Sequence, residues 1–236
     1  MNNNSICIIP ARQGSKRIPK KNIIKFFNKP LIAHVIENAR KSNCFQKIYV
    51  STDSHKIRKI SEKYGAIVPF LRSKKLSDDK TVVSEVIKDF LKKIKIKKKL
   101  TLVTVIYPTS VFVDKKLIKK AISKISKNIN FVSTIKKFPH PIQRAFILKD
   151  KKIKPINKST FMMRTQDLKT TFYDAGQIYV FKAKNFLNNE NSFNSNTSFI
   201  ELDEFKSVDI DNIEDLKNAK KIFKLKKFFL MNFKIF

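Results

Sequence analysis

The chain has little glycine and little cysteine, and both shortages exclude common kinds of site. Its 236 residues include three glycines, and Gly14 stands alone in the first loop, so neither the GxxxxGK[ST] phosphate loop nor the GxGxxG dinucleotide fingerprint is present. The two cysteines, Cys7 and Cys44, have no CxxC spacing and no neighbouring pair of histidines. A zinc centre is therefore not expected, and both are predicted to be reduced, structural thiols.

Arginine is scarce although the chain is strongly basic. The formal charge is +32, yet only seven of the 51 basic residues are arginine, and asparagine, isoleucine and phenylalanine are abundant, as in proteins from AT-rich genomes. Bidentate recognition of phosphate or guanine favours arginine. We therefore attribute the lysine excess to codon usage and expect no nucleic-acid partner. A lysine-rich nucleic-acid-binding protein is the alternative from a different class, and its binding would be salt-sensitive.

Long apolar runs are absent as well. No stretch reaches the length that a membrane-spanning helix requires, and the first residues lack both the basic region and the apolar core of a secretory signal. We expect a cytoplasmic protein without a membrane span. The length suits a single domain over residues 1–236.

Apolar runs bounded by turn residues alternate with segments of helical period. This alternation is typical of an α/β fold in which crossover helices join the strands of a mostly parallel sheet. Strands are predicted at Ser5–Ile9, Lys47–Thr52, Leu100–Tyr107, Asn130–Ile135 and Gln177–Phe181. Helices are predicted at Pro30–Lys41, Ser54–Tyr64, Thr81–Lys93, Asp114–Lys127 and from Ile213 to near Leu225.

Three segments interrupt the alternation. Residues 138–172 are punctuated by proline and weakly periodic, so we interpret them as an excursion from the sheet. The polar run Asn188–Ser198 is expected to be a surface loop. Residues 220–236, which end in a tail at 226–236, combine lysine with large apolar residues. A basic amphipathic helix on an anionic membrane is one interpretation, and we favour the other, in which the first half packs on the sheet and the rest is frayed.

The first predicted strand leads into a basic loop. The segment IIPARQGSKRIPKKN, residues 8–22, carries five cationic side chains around one glycine. Arg12 has the fork geometry that grips phosphate oxygens, and Lys16 and Lys21 supply point charges. Gly14 and Ser15 allow backbone N–H groups to approach an anion closely. A loop at the carboxyl end of a parallel strand is where such folds bind ligands, so an anion site is predicted rather than a solvated loop.

Two carboxylates stand two residues apart near the end of the chain. In extended backbone, residues i and i+2 point to the same side, so Asp209 and Asp211 are able to face one hard cation such as Mg²⁺. The other interpretation is that the acidic cluster caps the following helix, with Asp211 or Asn212 as N-cap. We expect a cap from one of these two residues and Asp209 as the surer metal ligand.

The loop motif resembles the N-terminal signature of the acidic-sugar, or nonulosonic acid, cytidylyltransferases, the family that includes CMP-sialic acid synthetases. The resemblance covers nearly the whole chain. It continues in VSTDS (50–54), VPFLRSKKLSDDKT (68–81), YPTS (107–110) and SVDIDNIEDL (207–216). It implies a Rossmann-like, mostly parallel sheet of the nucleotide-diphospho-sugar transferase type and a homodimer to which the excursion contributes.

The resemblance also implies a reaction, in which the anomeric hydroxyl of a sugar acid attacks the α-phosphorus of CTP and pyrophosphate leaves. Mg²⁺ or Mn²⁺ would be the cofactor, with Asp209 and Asp211 as its ligands. The expected catalytic residues are Arg12, Lys16, Asp209 and Asp211. The expected CTP-binding residues are Ala11, Arg12, Gly14, Ser15, Lys16, Lys21, Arg72 and Asp78, with Asp79 as the alternative to Asp78 in the loop that would shape the nucleoside side.

Departures from the sialic acid pattern bear on the sugar. Tyr107 stands where a glutamine usually precedes PTS, and the segments FPHPIQRA (138–145), RTQDL (164–168) and YDAGQIY (173–179) resemble the pseudaminic acid cytidylyltransferases. Pseudaminic acid is therefore the expected nine-carbon substrate, with sialic or legionaminic acid as the alternative. A sugar acid needs a cation and several polar side chains. The expected sugar-binding residues are Tyr107, Gln143, Arg144, Arg164, Gln166, Asp174 and Gln177, with Arg144 or Arg164 as the cation.

Overall fold

Ten strands and seven α-helices are present in the part of the chain that the computed structural model describes, residues 4–96, 102–188, 196–204 and 206–232. The strands are β1 (Ser5–Pro10), β2 (Lys25–Phe26), β3 (Lys29–Pro30), β4 (Lys47–Ser51), β5 (Leu102–Ile106), β6 (Phe131–Lys137), β7 (Phe146–Lys149), β8 (Lys152–Pro155), β9 (Phe172–Lys182) and β10 (Thr197–Glu201). The helices are α1 (Leu31–Ser42), α2 (His55–Lys63), α3 (Val83–Lys93), α4 (Lys115–Ser123), α5 (Lys158–Phe161), α6 (Ala183–Leu187) and α7 (Ile213–Asn232).

Six of the strands form the central sheet, in the order β10-β6-β9-β5-β1-β4. The pairs β1–β4, β1–β5 and β6–β10 are parallel, whereas β9 runs antiparallel to both its neighbours. The prediction of a mostly parallel α/β sheet is therefore confirmed. From β1 the chain crosses to β4 on one side and later returns to β5 on the other. A crevice opens at such a switch point, outside the carboxyl ends of the strands.

Strand β1 is buried on both faces, which explains its unbroken apolar sequence. Cys7 and Ile9 belong to a core cluster that includes residues of α1, α2 and α4. Ile6 and Ile8 point to the opposite face and pack in a cluster that includes residues of α3. Helices thus cover both faces of the sheet and leave its carboxyl edge for the loops.

Helix α7 packs on the first loop and on α1 rather than on the central sheet, so the prediction of sheet packing was wrong. Leu216 and Ala219 share a third core cluster with Ile18 from the loop and Leu31 from α1. The helix continues past the predicted end to Asn232. Within the described part of the chain, no helix combines the length and apolarity needed to cross a bilayer.

The sheet also holds two elements that the sequence did not predict in full. β9 begins at Phe172 instead of Gln177, and its first three residues are exposed, so they carry no alternating pattern. β10 begins at Thr197, inside the predicted loop, and Ile200 is its one buried residue. In the excursion, β7 and β8 form an antiparallel hairpin. Residues 189–195 of the predicted loop and residues 100–101 of the predicted strand lie outside the described residues.

Candidate active site

An open cleft of about 610 Å³ occupies the crevice at the carboxyl ends of β1 and β5. Its walls are the loop after β1, the loop before α3, the loop after β5 and the segment before α7. It brings together many of the residues predicted for CTP, metal or sugar, namely Arg12, Gly14, Ser15, Lys16, Lys21, Arg72, Asp78, Tyr107, Asp209 and Asp211. The role of each residue stays a prediction.

The first loop is anchored by buried groups and leaves its basic side chains in the cleft. Ala11 is fully buried and donates its N–H to the last carbonyl of β4 at 2.9 Å, so it lies beneath the cleft. Asn22 Nδ2 donates to the Arg12 carbonyl at 2.8 Å, and buried Ile18 packs against α7 and α1. No heavy atom lies within 4 Å of a Cβ built on Gly14, so there is room for a ligand against this backbone.

Asp79 neutralises two cations on one wall of the cleft. Its carboxylate binds Arg12 Nη1 and Lys16 Nζ, each at 2.5 Å, and the hydrogen bonds from Lys16 and Arg12 lower the pKa of Asp79. Asp78, which the sequence predicted as a ligand contact, turns its side chain into its own loop instead. There Oδ1 accepts from the N–H groups of the two residues that follow Asp79. Asp79 therefore faces the basic loop, and Asp78 shapes it.

Arg72 brings a buried guanidinium to the cleft. The residue is 8% exposed, and its Nε and Nη2 find no hydrogen-bond acceptor in the part of the chain that the structure describes. Burial lowers the pKa of Arg72, and the negative charge of Asp53 partly offsets this effect. Unsatisfied donors on a buried cation are energetically unfavourable. An anionic or carbonyl oxygen of a ligand in the cleft would satisfy them.

The second wall of the cleft carries the paired carboxylates. Asp211 binds Arg17 at 2.8 Å and Lys21 at 3.0 Å. Its partial burial raises the pKa of Asp211, but the hydrogen bond and charge of Lys21, together with Arg17, outweigh this, and the pKa is lowered. Asp209 shows the opposite shift: although the side chain is partly accessible, burial and the neighbouring charge of Asp211 raise its pKa.

The segment before α7 also forms a helix cap, as one of the two interpretations predicted. Asn212 Oδ1 accepts from Asp215 N–H at 2.9 Å, and Asp215 Oδ2 accepts from the N–H groups of Asp211 and Asn212, each at 2.9 Å. This is a reciprocal cap with Asn212 at the N-cap position. Asp215 and Asn212 serve the helix, so the carboxylates of Asp209 and Asp211 remain directed to the cleft.

The donor set fits one hard cation rather than a site built of protein ligands alone. No group of three or more His, Cys, Asp or Glu side chains able to hold a metal occurs among the described residues. Mg²⁺ is usually bound by one or two carboxylates, with waters and substrate phosphates completing its octahedron. Asp209 and Asp211, beside the cations of the first loop, match that arrangement.

Tyr107 lines the cleft, and Tyr179 on β9 packs beside it outside the lining. Their rings lie 5.8 Å apart between centroids in an edge-to-face arrangement. Tyr179 Oη donates to Asp174 Oδ2 at 2.6 Å, and burial is the main cause that raises the pKa of both tyrosines. Both hydroxyls therefore stay protonated near neutral pH. Asp174, which was predicted to bind the sugar, orients Tyr179 and does not line the cleft.

Most of the residues predicted for the sugar lie away from this cleft within the chain. Gln143 and Arg144 donate to backbone carbonyls of the excursion, at 2.9 and 2.5 Å. Arg164 forms an ion pair with Asp167 at 2.8 Å, and Gln166 is exposed. None of the four lines the cleft. Gln177 is fully buried, so it lies behind the cleft wall and does not face a ligand.

Sequence reasoning missed several residues in or beside the cleft. Arg17 and Asn22 belong to the motif that identified the loop, so the motif itself was the signal for them. Asp79 was given less weight than its neighbour because the sequence does not show which of two adjacent carboxylates turns inward. Tyr179 lies on a strand that the pattern did predict, but its proximity to Tyr107 depends on the pairing of β9 with β5.

A mixed α/β sheet with a cation-rich cleft at its switch point is the architecture of nucleotidyltransferases, and solved structures agree. The fold matches a CMP:2-keto-3-deoxy-manno-octonic acid synthetase complexed with CTP, with a TM-score of 0.69 and 12% identity over 95% of this chain and 100% of that chain. It also matches a 4-diphosphocytidyl-2C-methyl-D-erythritol synthase, with a TM-score of 0.69 and 10% identity over 94% and 99%.

Sequence relatives narrow this class. The chain is 38% identical to the pseudaminic acid cytidylyltransferase of Campylobacter jejuni (strain 81-176) over 80% of its length and 83% of that protein. It is 32% identical to the N-acylneuraminate cytidylyltransferase of Streptococcus agalactiae (strain 2603 V/R), over 80% of this chain and 46% of that protein. The family model described as Cytidylyltransferase matches residues 6–235. The chain belongs to the cytidylyltransferase family.

Proposed function

We propose that this enzyme transfers CMP from CTP to the anomeric hydroxyl of a nonulosonic acid, with pseudaminic acid as the substrate. The observation that carries the proposal is the cleft itself. It is lined by the cations of the first loop, by the paired carboxylates, and by a buried Arg72 whose Nε and Nη2 lack partners among the described residues. A triphosphate offers many oxygens to such a set of donors.

The reaction joins two anions, so the residues of the cleft must first neutralise charge. In this proposal Arg12, Lys16 and Lys21 hold the triphosphate, and Arg72 binds an oxygen of the nucleotide. The sugar hydroxyl oxygen forms a bond to the α-phosphorus and loses its proton, and the bond to the β-phosphate oxygen breaks, with its electron pair leaving on pyrophosphate. The magnesium or manganese ion that Asp209 and Asp211 would hold supplies positive charge for the phosphates.

Pseudaminic acid is the preferred sugar because, among the relatives that cover most of the chain, those of that name have the higher identity. Two pseudaminic acid cytidylyltransferases of Campylobacter jejuni are 37–38% identical over 80% of this chain, against 32% for the N-acylneuraminate cytidylyltransferase of Streptococcus agalactiae over the same share. The CMP-N,N'-diacetyllegionaminic acid synthase of Legionella pneumophila is 48% identical, but over 36% of this chain. Sialic and legionaminic acid are therefore the alternatives.

A homodimer belongs to this proposal because the excursion exposes apolar side chains. On the β7–β8 hairpin Leu148 is 72% exposed and Ile153 64% exposed, and Met162 beyond it is 85% exposed. Apolar side chains concentrated on one projecting segment favour an interface. In a dimer the partner would bring the arginines of its excursion toward a cleft that they do not reach within one chain. A cytoplasmic location completes the proposal and agrees with two cysteines that form no disulfide.

The proposal is tested by pyrophosphate release from CTP with pseudaminic, legionaminic and sialic acids, each with and without Mg²⁺. We expect release with pseudaminic acid to be fastest and to require the metal.

Arg12→Ala and Lys16→Ala should raise the KM for CTP, because in this proposal both side chains hold the triphosphate. The circular dichroism spectrum should be unchanged, because both side chains are on a solvent-facing loop. If the kinetic constants for CTP were unaltered in both variants, the loop would be a charged surface that does not bind CTP. A gel shift with duplex and single-stranded DNA tests the alternative that the protein binds nucleic acid, and we expect no shift.

A further inference from the structure

Gln177 lies at the point where two walls of the cleft meet. Its side chain is fully buried, and Nε2 donates at 3.3 Å to the carbonyl of Val208, the residue before Asp209. Its backbone carbonyl accepts from the N–H of Tyr107 at 3.3 Å and from the hydroxyl of Ser110 at 3.1 Å. One residue therefore joins the YPTS loop after β5 to the segment that carries the paired carboxylates.

An irregularity in β9 places Gln177 at this junction. The pairing with β6 passes from Ser133 opposite Tyr179 to Ile135 opposite Asp174, so four residues of β9 stand against one of β6. Gly176, within this bulge, has φ +61°, a value that favours glycine. Bulges re-aim side chains next to active sites.

The segment that Gln177 contacts has little other regular support. Residues 206–212 form neither helix nor strand, so no sheet ladder fixes the Val208 carbonyl. Val208 is held by this hydrogen bond and by packing against the core cluster beneath α7, in which Ile210 is buried. Ile210 also donates its N–H to Asp209 Oδ1 at 2.8 Å, which orients the carboxylate relative to its own backbone. The position of that backbone in the cleft thus depends in part on where Gln177 holds Val208.

Stability alone does not explain a glutamine at this position. Its Oε1 is buried and has no hydrogen-bond donor among the described residues. A buried acceptor without a partner destabilises a fold, and an apolar side chain of similar volume would remove it. The contact that the amide does make is to the segment with the carboxylates.

We infer that Gln177 is a positioning residue for the reaction proposed above, on which the inference rests. Its Nε2 holds Val208, and its backbone carbonyl holds the YPTS loop. Gln177 therefore fixes the position of Asp209 relative to Tyr107 from behind the cleft. It touches no reacting atom. Its loss should misplace Asp209 without weakening the cations that bind the triphosphate.

The test is Gln177→Leu, measured by kinetics, thermal unfolding and hydrogen–deuterium exchange of the peptide that covers residues 206–212. We expect kcat to fall about tenfold, because Asp209 would be displaced from the position that the reaction requires, while the KM for CTP stays within about twofold. Hydrogen–deuterium exchange in the peptide should become faster, and the melting temperature should be unchanged. Thr104→Val is the matched control, because it likewise removes a buried polar oxygen that has no partner among the described residues, in this case a hydroxyl in the middle of β5.

The outcomes separate the inference from the proposed function. Wild-type exchange and wild-type kcat in Gln177→Leu would overturn the inference, and the proposed function would stand if the unmodified enzyme still released pyrophosphate. An enzyme that released none would contradict the proposed function, while the exchange measurement would still decide whether Gln177 holds the segment. If Gln177→Leu did not fold, Gln177→Met, which is unbranched and fills a gap more easily, would be measured in its place and judged by the same results.

Discussion

At the scale of single residues, the cleft contains carboxylates whose environments differ sharply. Asp79 and Asp211 are each bound by two cations of the basic loop. Asp209, by contrast, has a raised pKa because of its burial and the charge of Asp211. A triphosphate carries anionic oxygens, as a carboxylate does, so in the proposed reaction the nucleotide would compete with the aspartates for the same cations.

Replacing Asp79 with Asn should therefore improve the binding of CTP. The amide keeps the shape but releases Arg12 and Lys16, and we expect the KM for CTP to fall about two- to fivefold with kcat nearly unchanged, in line with an exposed ion pair. Steady-state kinetics measure both values. Asp89→Asn, which breaks an exposed ion pair with Lys93 on α3, is the control. A KM that rose would show that Asp79 assists the nucleotide instead.

Asp209→Asn should abolish most activity. The amide retains the shape of the side chain but not the charge that binds a divalent cation, and removal of a major electrostatic contact costs about a hundredfold or more in turnover. Pyrophosphate release at saturating metal is the measurement. Asp203→Asn, which breaks an ion pair on the surface with Lys206, should have no such effect. Turnover near that of the wild type would show that Asp209 is not a metal ligand.

Arg72→Met should separate binding from stability. Removal of a buried charge with unsatisfied donors relieves its desolvation penalty, so we expect the free energy of unfolding to be unchanged or higher. The KM for CTP should rise at least about tenfold, because a hydrogen bond to a charged ligand is lost. Denaturant unfolding and kinetics test the two parts. A less stable protein with unchanged KM would make Arg72 a structural residue.

At the scale of elements, the sequence pattern predicted the strands whose residues are mostly buried and missed the strands whose residues are mostly exposed. β1, β4 and β5 are mostly apolar and mostly buried, and they were predicted within a few residues. β10 and the β7–β8 hairpin lie at the edge or outside the sheet, where exposed residues leave no period to detect. The antiparallel direction of β9 depends on contacts distant in sequence, which no local pattern encodes.

The end of α7 provides a test at this scale. Phe223 packs on Phe26, Phe27 and His34, whereas Phe228 and Phe229 are more than half exposed. Deletion of residues 228–236 should therefore leave CTP turnover close to intact, since the packed part of the helix remains. Sedimentation with anionic liposomes should also be unchanged. If the full chain sediments and the shortened chain does not, the segment is a membrane anchor.

At the scale of the whole molecule, the sequence identified the first loop and the aspartate pair, and it did not reveal how they meet. Lys21 and Asp211 stand near opposite ends of the chain but are 3.0 Å apart, because α7 returns to pack on the first loop. The motifs carried the resemblance. The residues assigned to the sugar were predicted less well, since four of them lie on an excursion that does not reach the cleft of its own chain.

The assembly prediction follows from that excursion. If the hairpin lies in an interface, Leu148→Glu should place a charge within it and convert a dimer to a monomer, which light scattering at micromolar concentration would detect. Leu225→Glu is the control. Leu225 is 51% exposed and lies on α7, outside the excursion, so this variant should leave the dimer intact. A wild-type protein that was strictly monomeric at this concentration would contradict the prediction.

The most direct test of the central claim is the identity of the product. With CTP, Mg²⁺ and pseudaminic acid, ³¹P nuclear magnetic resonance should show one new phosphodiester signal of a CMP-sugar and an equal amount of pyrophosphate. The signal should be absent without the sugar and in Asp209→Asn. Conversion of CTP to CDP and phosphate, or unchanged CTP with every nonulosonic acid, would contradict the transfer of CMP by this cleft.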